Sequence, residues 1–345
     1  MSYYDGTKLL SLKDINGNDP EIYICSTNRS AGKTTFFGRW FVKRFKQYGE
    51  KFCLLYRYNY ELSDIADKFF KELKVLFFQN DNMESKSRAK GIYHELFLNE
   101  KPCGYAVSIN NADQLKKMSH LFSDVKRILF DEFQSESGHY CDKEIQKFQS
   151  LHTSIARGNG KQVRYVPVFM LGNFVTLLNP YYIALGISDK LRIETNFLKG
   201  NGYVLEQGFN ESASENQKQS AFNSAFAGSD YVKFASEKNY LNDKTAFIER
   251  PEGNSKYICT IKYEMKEYGI REYTELGIIY CDDKADISFP LKLTVNTNDH
   301  DINYLMLKRN DMFINSLRWY FEHGVFRFKN LQCKQAVLQI CAYDR

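Results

Sequence analysis

The ten residues Ser26 to Thr35, STNRSAGKTT, constrain the fold of this chain more than any other stretch. They follow a short β-rich run, EIYIC (21–25), and open a segment in which Phe36, Phe37, Trp40, Phe41 and Phe45 recur at helical spacing until Gly49. A strand, a loop ending in Gly-Lys-Thr and a helix together form a phosphate-binding arrangement. Backbone N–H groups at the helix start face a β-phosphate, Lys33 reaches the β and γ oxygens, and the Thr34 hydroxyl can ligate Mg²⁺. The pattern GxxxxGK[ST] asks for glycine where this chain has Thr27. That departure is tolerable if Thr27 takes an extended or bridge conformation, while Gly32 still lets the backbone come close to phosphate. The candidate nucleotide-binding set is Thr27, Asn28, Arg29, Ser30, Ala31, Gly32, Lys33, Thr34 and Thr35.

A second motif lies about a hundred residues downstream. Arg127-Ile128-Leu129-Phe130-Asp131-Glu132 reads as an apolar strand ending in two acids. Successive side chains diverge at a strand end, so the two carboxylates serve different roles. Asp131 would hold Mg²⁺ with Thr34, and Glu132 would polarise an attacking water, which favours an ATPase over a small-molecule kinase. Two further candidates carry alternatives of equal weight. Asn173, at the end of VPVFMLGN, either senses a γ-phosphate or caps the turn before Asn179-Pro180. Arg157, at the end of EIQKFQSLHTSIAR and before Gly158-Asn159-Gly160-Lys161, either reaches a neighbouring subunit's γ-phosphate or only complements its own helix dipole.

Strand-like and helix-like segments alternate through the first two hundred residues, which predicts a parallel sheet covered by helices. The expected strands are 21–25, 51–58, 125–130 and 166–173, with a hairpin over 91–109 turning at Lys101-Pro102-Cys103-Gly104. Helices are expected over 33–48, 62–74, 112–122 and 144–157. Residues 208–230, rich in Ser, Asn, Gln, Ala and Gly, suit a linker with a short polar helix. Strands over 255–265, 269–276 and 277–283, then helices over 306–323 and 331–343, indicate a separate α+β domain. The expected division is therefore 1–207, linker 208–230, and 231–345. With 345 residues the chain is near the two-domain range, and 43% hydrophobic and 15% aromatic residues exclude wholesale disorder. A net charge of +5 is too mild for a basic tail, so nucleic-acid contact must come from local patches. Eight cysteines without a CxxC pair read as reduced core residues, and no apolar run reaches membrane-spanning length.

These segments together resemble the DNA-encapsidation ATPase family of small tailed bacteriophages with short linear genomes. The resemblance is carried by NRSAGKTT, KQYGEKFCLLYRYNYEL, RILFDEF, IARGNGKQVR and LGNFVTLLNPYY, and it covers most of the chain. Family loops are GxRGxGKS-like, so Arg29, Gly32, Lys33 and Thr34 match while Thr27 and Ser30 replace two glycines. The resemblance implies an additional-strand, catalytic-glutamate P-loop ATPase domain followed by a smaller RNase H-like α+β domain. It assigns Asp131 to the metal, Glu132 to catalysis, Arg157 to a trans-acting finger and Asn173 to the sensor, with a trans-acting lysine near Lys116 or Lys117. It also implies ATP and Mg²⁺, a homo-oligomeric ring of about five copies, double-stranded DNA, the portal of a preformed procapsid and, in some relatives, a packaging RNA. The implied place is the host cytoplasm, transiently at the portal vertex, with no membrane. The second domain would be a vestigial nuclease. Its first strand has Thr260 and Lys262 where a nuclease needs a carboxylate, and Asp282, Asp283 and Asp286 fall on an expected turn. Lys256, Lys262, Lys266, Arg271, Lys308, Arg309, Arg318, Arg327, Lys329 and Lys334 are its candidate phosphate contacts.

Overall fold

A computed structural model describes residues 3–136, 140–141, 143–158, 160, 162–176, 179–187, 190–191, 195–226, 228–237, 240–241, 246–308, 311–322 and 325–341. The chain divides into two compact units, residues 1–184 with 191–241, and residues 185–190 with 242–345. Asn159, Lys161 and Arg309 lie outside the described residues.

The first unit runs in chain order through α1 (Thr7–Ser11), β1 (Ile22–Thr27), α2 (Lys33–Tyr48), β2 (Lys51–Tyr56), α3 (Glu61–Phe77), β3 (Met83–Arg88), β4 (Tyr93–Leu98) and β5 (Lys101–Ser108). It continues through α4 (Ala112–Lys116), β6 (Val125–Phe130), α5 (Glu144–Ile155), β7 (Val168–Asn173), α6 (Pro180–Ala184), β8 (Phe197–Gly200), β9 (Tyr203–Gln207) and the helices α7 (Glu211–Gln219), α8 (Ala221–Ala225) and α9 (Asp230–Ser236). Its nine-stranded sheet has the order β3-β4-β5-β2-β6-β7-β1-β9-β8. The stretch from β5 to β9 is parallel throughout, and antiparallel hairpins close both edges. β7 therefore lies between the strand that enters the phosphate loop and the strand that ends in the acids, as expected of an additional-strand ATPase sheet.

The central strands are apolar runs because both faces are covered: five of the six residues in β1 and in β2 are buried. α2 lays Phe37, Phe41 and Val42 into the core, with Phe36, Trp40 and Phe45 beside them. Phe41 and Phe37 both meet Phe169 of β7 edge-on or tilted. Burying each such ring contributes roughly 2–3 kcal/mol. Gly49 ends the helix with φ +67°, its N–H donating to the Phe45 carbonyl.

Three expectations need correction. The hairpin turns at Asn99 and Glu100, both left-handed, so Lys101 to Gly104 belong to β5, where Gly104 faces Phe52 so closely that a Cβ would meet its carbonyl. The helix expected over 112–122 is α4 followed by a single 3₁₀ turn, Ser119–Phe122. Residues 208–230 do not form a simple linker. Helices α7–α9 belong to the first unit, Asn210 caps α7 by accepting from the Ala213 N–H, and Phe234 and Tyr240 bury against Phe174. The break in contacts follows Leu241. The polar composition of this stretch reflects short, heavily capped helices, with Ser220 and Ser229 capping α8 and α9.

The second unit contains β10 (Lys256–Tyr263), β11 (Lys266–Tyr273), β12 (Ile278–Asp282), β13 (Lys292–Thr294), β14 (Leu305–Met306), α10 (Met312–Glu322), β15 (Phe326–Phe328) and α11 (Leu331–Cys341). The sheet order is β14-β13-β10-β11-β12-β15. The first three strands form an antiparallel meander, while β13 runs parallel to β10 and β14 to β13. From β12 to β14 the order is 3-2-1-4-5, the strand order of an RNase H-like sheet, with β15 added parallel to β12 at the opposite edge. Both helices contribute to one apolar core with the sheet, including Ile314, Leu317, Val337 and Ile340. All eight cysteines are buried and free, and no helix among the described residues is long and apolar enough to cross a membrane.

Candidate active site

Thr27 is the last residue of β1, fully buried and paired in register with Asn173 of β7. Its extended backbone needs no glycine. The strain sits three residues further on, where Ser30 has φ +61° and Gly32 φ +93°. Gly32 is suited to that conformation, and a side chain there would also run into Tyr3. Ser30 is the replaced glycine that matters to the loop's shape.

The loop is anchored on both sides. Tyr4 donates its N–H to the Ala31 carbonyl (2.8 Å) and its hydroxyl to Glu206 (2.6 Å). The buried Asn28 side chain donates to the Asn210 carbonyl (3.0 Å) and accepts the Asn210 N–H (2.9 Å), tying the loop to the cap of α7. These anchors leave the free N–H groups at the start of α2 in a fixed position, which is what an anion needs.

Side chains from the start of α2, from just past β6 and from the end of β7 then converge. Lys33 donates to the Asn173 amide oxygen (2.6 Å), and Thr34 donates to Asp131 (2.9 Å) across ninety-seven positions of sequence. Burial pushes the Lys33 ammonium below its ordinary pKa, with Asp131 opposing. Burial likewise raises the Asp131 carboxyl to about 6, opposed by the charge of Lys33 and the Thr34 hydrogen bond. Two hard oxygens, the Thr34 hydroxyl and the Asp131 carboxylate, beside a phosphate cradle fit Mg²⁺ by ligand chemistry. Thr35 is half-buried in the first turn of α2.

Glu132 is exposed and left-handed, φ +54°, with its N–H donating back to Asp131. Its turn rests on Arg57, at the end of β2, which sequence reasoning did not single out. The guanidinium donates to the carbonyls of Glu132 (3.3 Å) and Phe133 (2.6 Å) and to both Glu144 oxygens (3.1 Å each). Glu136 was also missed. It accepts from Arg29 (2.6 Å) and from the Asn173 amide (3.4 Å), linking the loop to the end of β7. Asn173 thus contacts both Lys33 and Glu136, beside the Thr34–Asp131 pair.

Arg157 is not brought into this cluster. It follows the C-terminal end of α5, whereas Glu144 at the other end grips Arg57; twelve residues of helix span about 18 Å. The backbone of Arg157 is held from below: Arg164 donates to the carbonyls of Arg157, Ile155, Val125 and Phe122. The Arg157 side chain is exposed, and among the described residues no carboxylate pairs with it. Lys116 is exposed and paired with Asp113 (3.2 Å), and Lys117 is exposed at the end of α4.

In the second unit the three candidate acids point to separate tasks. Asp282, buried, faces Arg271 (3.6 Å) and Arg250 (3.8 Å); Asp283 pairs with Lys329; Asp286 accepts from Ser288. Thr260 is fully buried and donates to the Asp286 carbonyl, and Lys262 pairs with Asp301. Several expected phosphate contacts are likewise engaged within the fold: Arg318 is buried against the Cys341 carbonyl, and Lys334 is buried beside Phe247. Lys256, Lys266 and Lys308 remain exposed.

The geometry coincides with similarity along the full chain. The Podovirus DNA encapsidation protein (Gp16) family profile matches residues 1–343. The DNA packaging protein of Bacillus phage phi29 is 23% identical over 306 residues, covering 88% of this chain and 87% of that protein. Its counterpart in Bacillus phage B103 is 24% identical over 308 residues, covering 88% and 90%. In fold, the chain is similar to one in the bacteriophage Phi-29 viral genome packaging motor assembly, with TM-score 0.60, 22% identity, and 96% and 95% covered. It is also similar to one in the Phi-28 gp11 DNA packaging motor, with TM-score 0.59, 16% identity, and 99% of each chain covered. By sequence along its whole length and by fold, this chain belongs to the podovirus DNA encapsidation protein family.

Proposed function

We propose that the chain hydrolyses ATP to drive double-stranded DNA into a preformed procapsid, acting as a ring of identical copies docked at the portal. The observation that carries this reading is the 2.9 Å contact between Thr34 and Asp131, made beside Lys33 and Asn173 on the intervening strand. Three motifs scattered over 140 residues of sequence meet there.

The N–H groups of the loop and Lys33 bind the β- and γ-phosphates. Thr34 and Asp131 would hold Mg²⁺, which when bound neutralises phosphate charge. The Glu132 carboxylate accepts a proton from water as the water oxygen bonds to the γ-phosphorus. The bond to the β–γ bridging oxygen then breaks, releasing ADP and phosphate. Asn173, hydrogen-bonded to Lys33, is placed to register whether the γ-phosphate is present. Arg157 lies a helix length from its own site and is exposed, so it serves the γ-phosphate of a neighbouring copy, where it offsets transition-state charge. The ring, its stoichiometry of about five and the portal rest on family membership, as does any packaging RNA. The second unit acts without cleaving DNA, a reading supported by the separate engagement of Asp282, Asp283 and Asp286.

Glu132→Gln tests the assignment. It should bind ATP with wild-type affinity and lose at least about 10²-fold in turnover. Full residual turnover would reject the role of Glu132. Plasmid DNA with Mn²⁺ should remain uncut by the wild type, and cutting abolished by Asp282→Ala would restore the nuclease reading.

A further inference from the structure

Glu132 is an unusual residue to leave unsupported. Its backbone occupies the left-handed region, which an L side chain adopts at a cost, and among the described residues its exposed carboxylate makes no hydrogen bond or ion pair, with the longer-range charges of Lys33 and Asp131 acting on it. What holds the turn is beneath it. The Arg57 guanidinium spans two successive carbonyls, Glu132 and Phe133, while Glu144 neutralises its charge from the other side. Arg57 and Glu144 are both almost fully buried, and Glu144 is itself fixed by the Tyr181 hydroxyl (2.5 Å) and the Cys141 N–H (2.7 Å). The Tyr140 ring lies over the guanidinium at 4.9 Å. A buried charge pair of this kind is weak evidence for stability, since apolar side chains of similar size often serve as well. It is well suited to geometry: a planar fork with five donors can hold several acceptors in fixed directions, which a lysine cannot.

We propose that Arg57 is a positioning residue for the hydrolytic step, fixing the turn from Glu132 to Phe133 so that the Glu132 carboxylate stays directed at the attacking water, with Glu144 as its counter-ion. This rests on the reading of Glu132 as the group that accepts the water proton. The guanidinium's hydrogen bonds go to Glu132, Phe133 and Glu144. Its effect passes through the backbone it holds.

The informative variant is Arg57→Lys, which keeps a cation for Glu144 but cannot reach both carbonyls together. At saturating ATP its kcat should fall at least tenfold while KM stays within threefold, with turnover expressed per nucleotide-binding site so that misfolded protein is not counted. In the Glu132→Gln background the same change should cost less than threefold, because the group being positioned is already absent. A second readout is independent of turnover: in Arg57→Lys the Phe133 amide, which donates to the Leu171 carbonyl, should exchange with solvent at least tenfold faster, while amides within β6 keep their protection. Wild-type kcat in Arg57→Lys, multiplicative losses in the double variant, or unchanged exchange at Phe133 would each overturn the proposal. Full turnover by Glu132→Gln alone would instead overturn the reading on which it rests, with the exchange result still reporting whether Arg57 holds the turn.

Discussion

Thr27 and Ser30 look equivalent in sequence, two replaced glycines in one loop, yet the backbone separates them. Thr27 is a buried strand residue paired with Asn173, whereas Ser30 carries a positive φ. Opposite stability effects should follow. Ser30→Gly should stabilise the protein by about 0.5–1 kcal/mol, because relief of left-handed strain exceeds the added chain entropy. Thr27→Gly should destabilise it by about 1 kcal/mol through lost strand preference and packing. Chemical denaturation of both variants checks the pair, and a stabilising Thr27→Gly would contradict the assignment of strain. Which position of a glycine pattern needs left-handed backbone is a property of φ, and the pattern alone does not carry it. The site's other hidden members have the same origin: Arg57 reads as a strand terminus and Glu136 as part of a polar turn until β2, β6 and β7 lie side by side.

Helices with strong apolar periodicity were legible: α2 ends at Gly49 as its sequence indicates, and Phe41→Ala should cost about 3–5 kcal/mol because the ring is fully buried against Phe52 and Phe169. Elements lacking that contrast were not. β3, MESKSR, is a largely exposed edge strand with no apolar face to announce it, and β8 and β9 hide in FLKGNGYVLEQ as a short hairpin. α7 is the most consequential of these, because Asn28 binds its cap from inside the phosphate loop. Asn28→Ala removes both hydrogen bonds between the loop and the half-buried Asn210. The expected loss is about 1–3 kcal/mol, with faster amide exchange in α7; unchanged exchange there would show that the loop does not hold the helix. α5 links two functions by its ends, Glu144 toward Arg57 and Arg157 toward solvent. Arg164→Ala should destabilise the fold by at least about 2 kcal/mol through orphaned carbonyls, whereas Arg157→Ala should leave the melting temperature within about a degree.

At the scale of the whole chain, the order of motifs identifies a P-loop sheet, and a strand meander followed by helices identifies a second body, but composition placed the division too early. Helices α7–α9 are polar in sequence because they are short and capped, yet Phe234 and Tyr240 complete a core around Phe174. A chain ending at Leu241 should therefore unfold cooperatively and bind ATP, while one ending at Gln207 exposes Phe174 and should aggregate or melt well below it; equal behaviour would return the boundary to 207. In the proposed ring, one copy's acids and another's arginine together form a working site. The direct measurement is ATP turnover in mixtures of Glu132→Gln and Arg157→Ala chains at concentrations where the wild type is active. Each variant alone should be nearly inactive, and mixing should restore turnover to a maximum at intermediate ratios, since some interfaces then pair an intact Glu132 with an intact Arg157. Absence of rescue at every ratio would contradict a shared site.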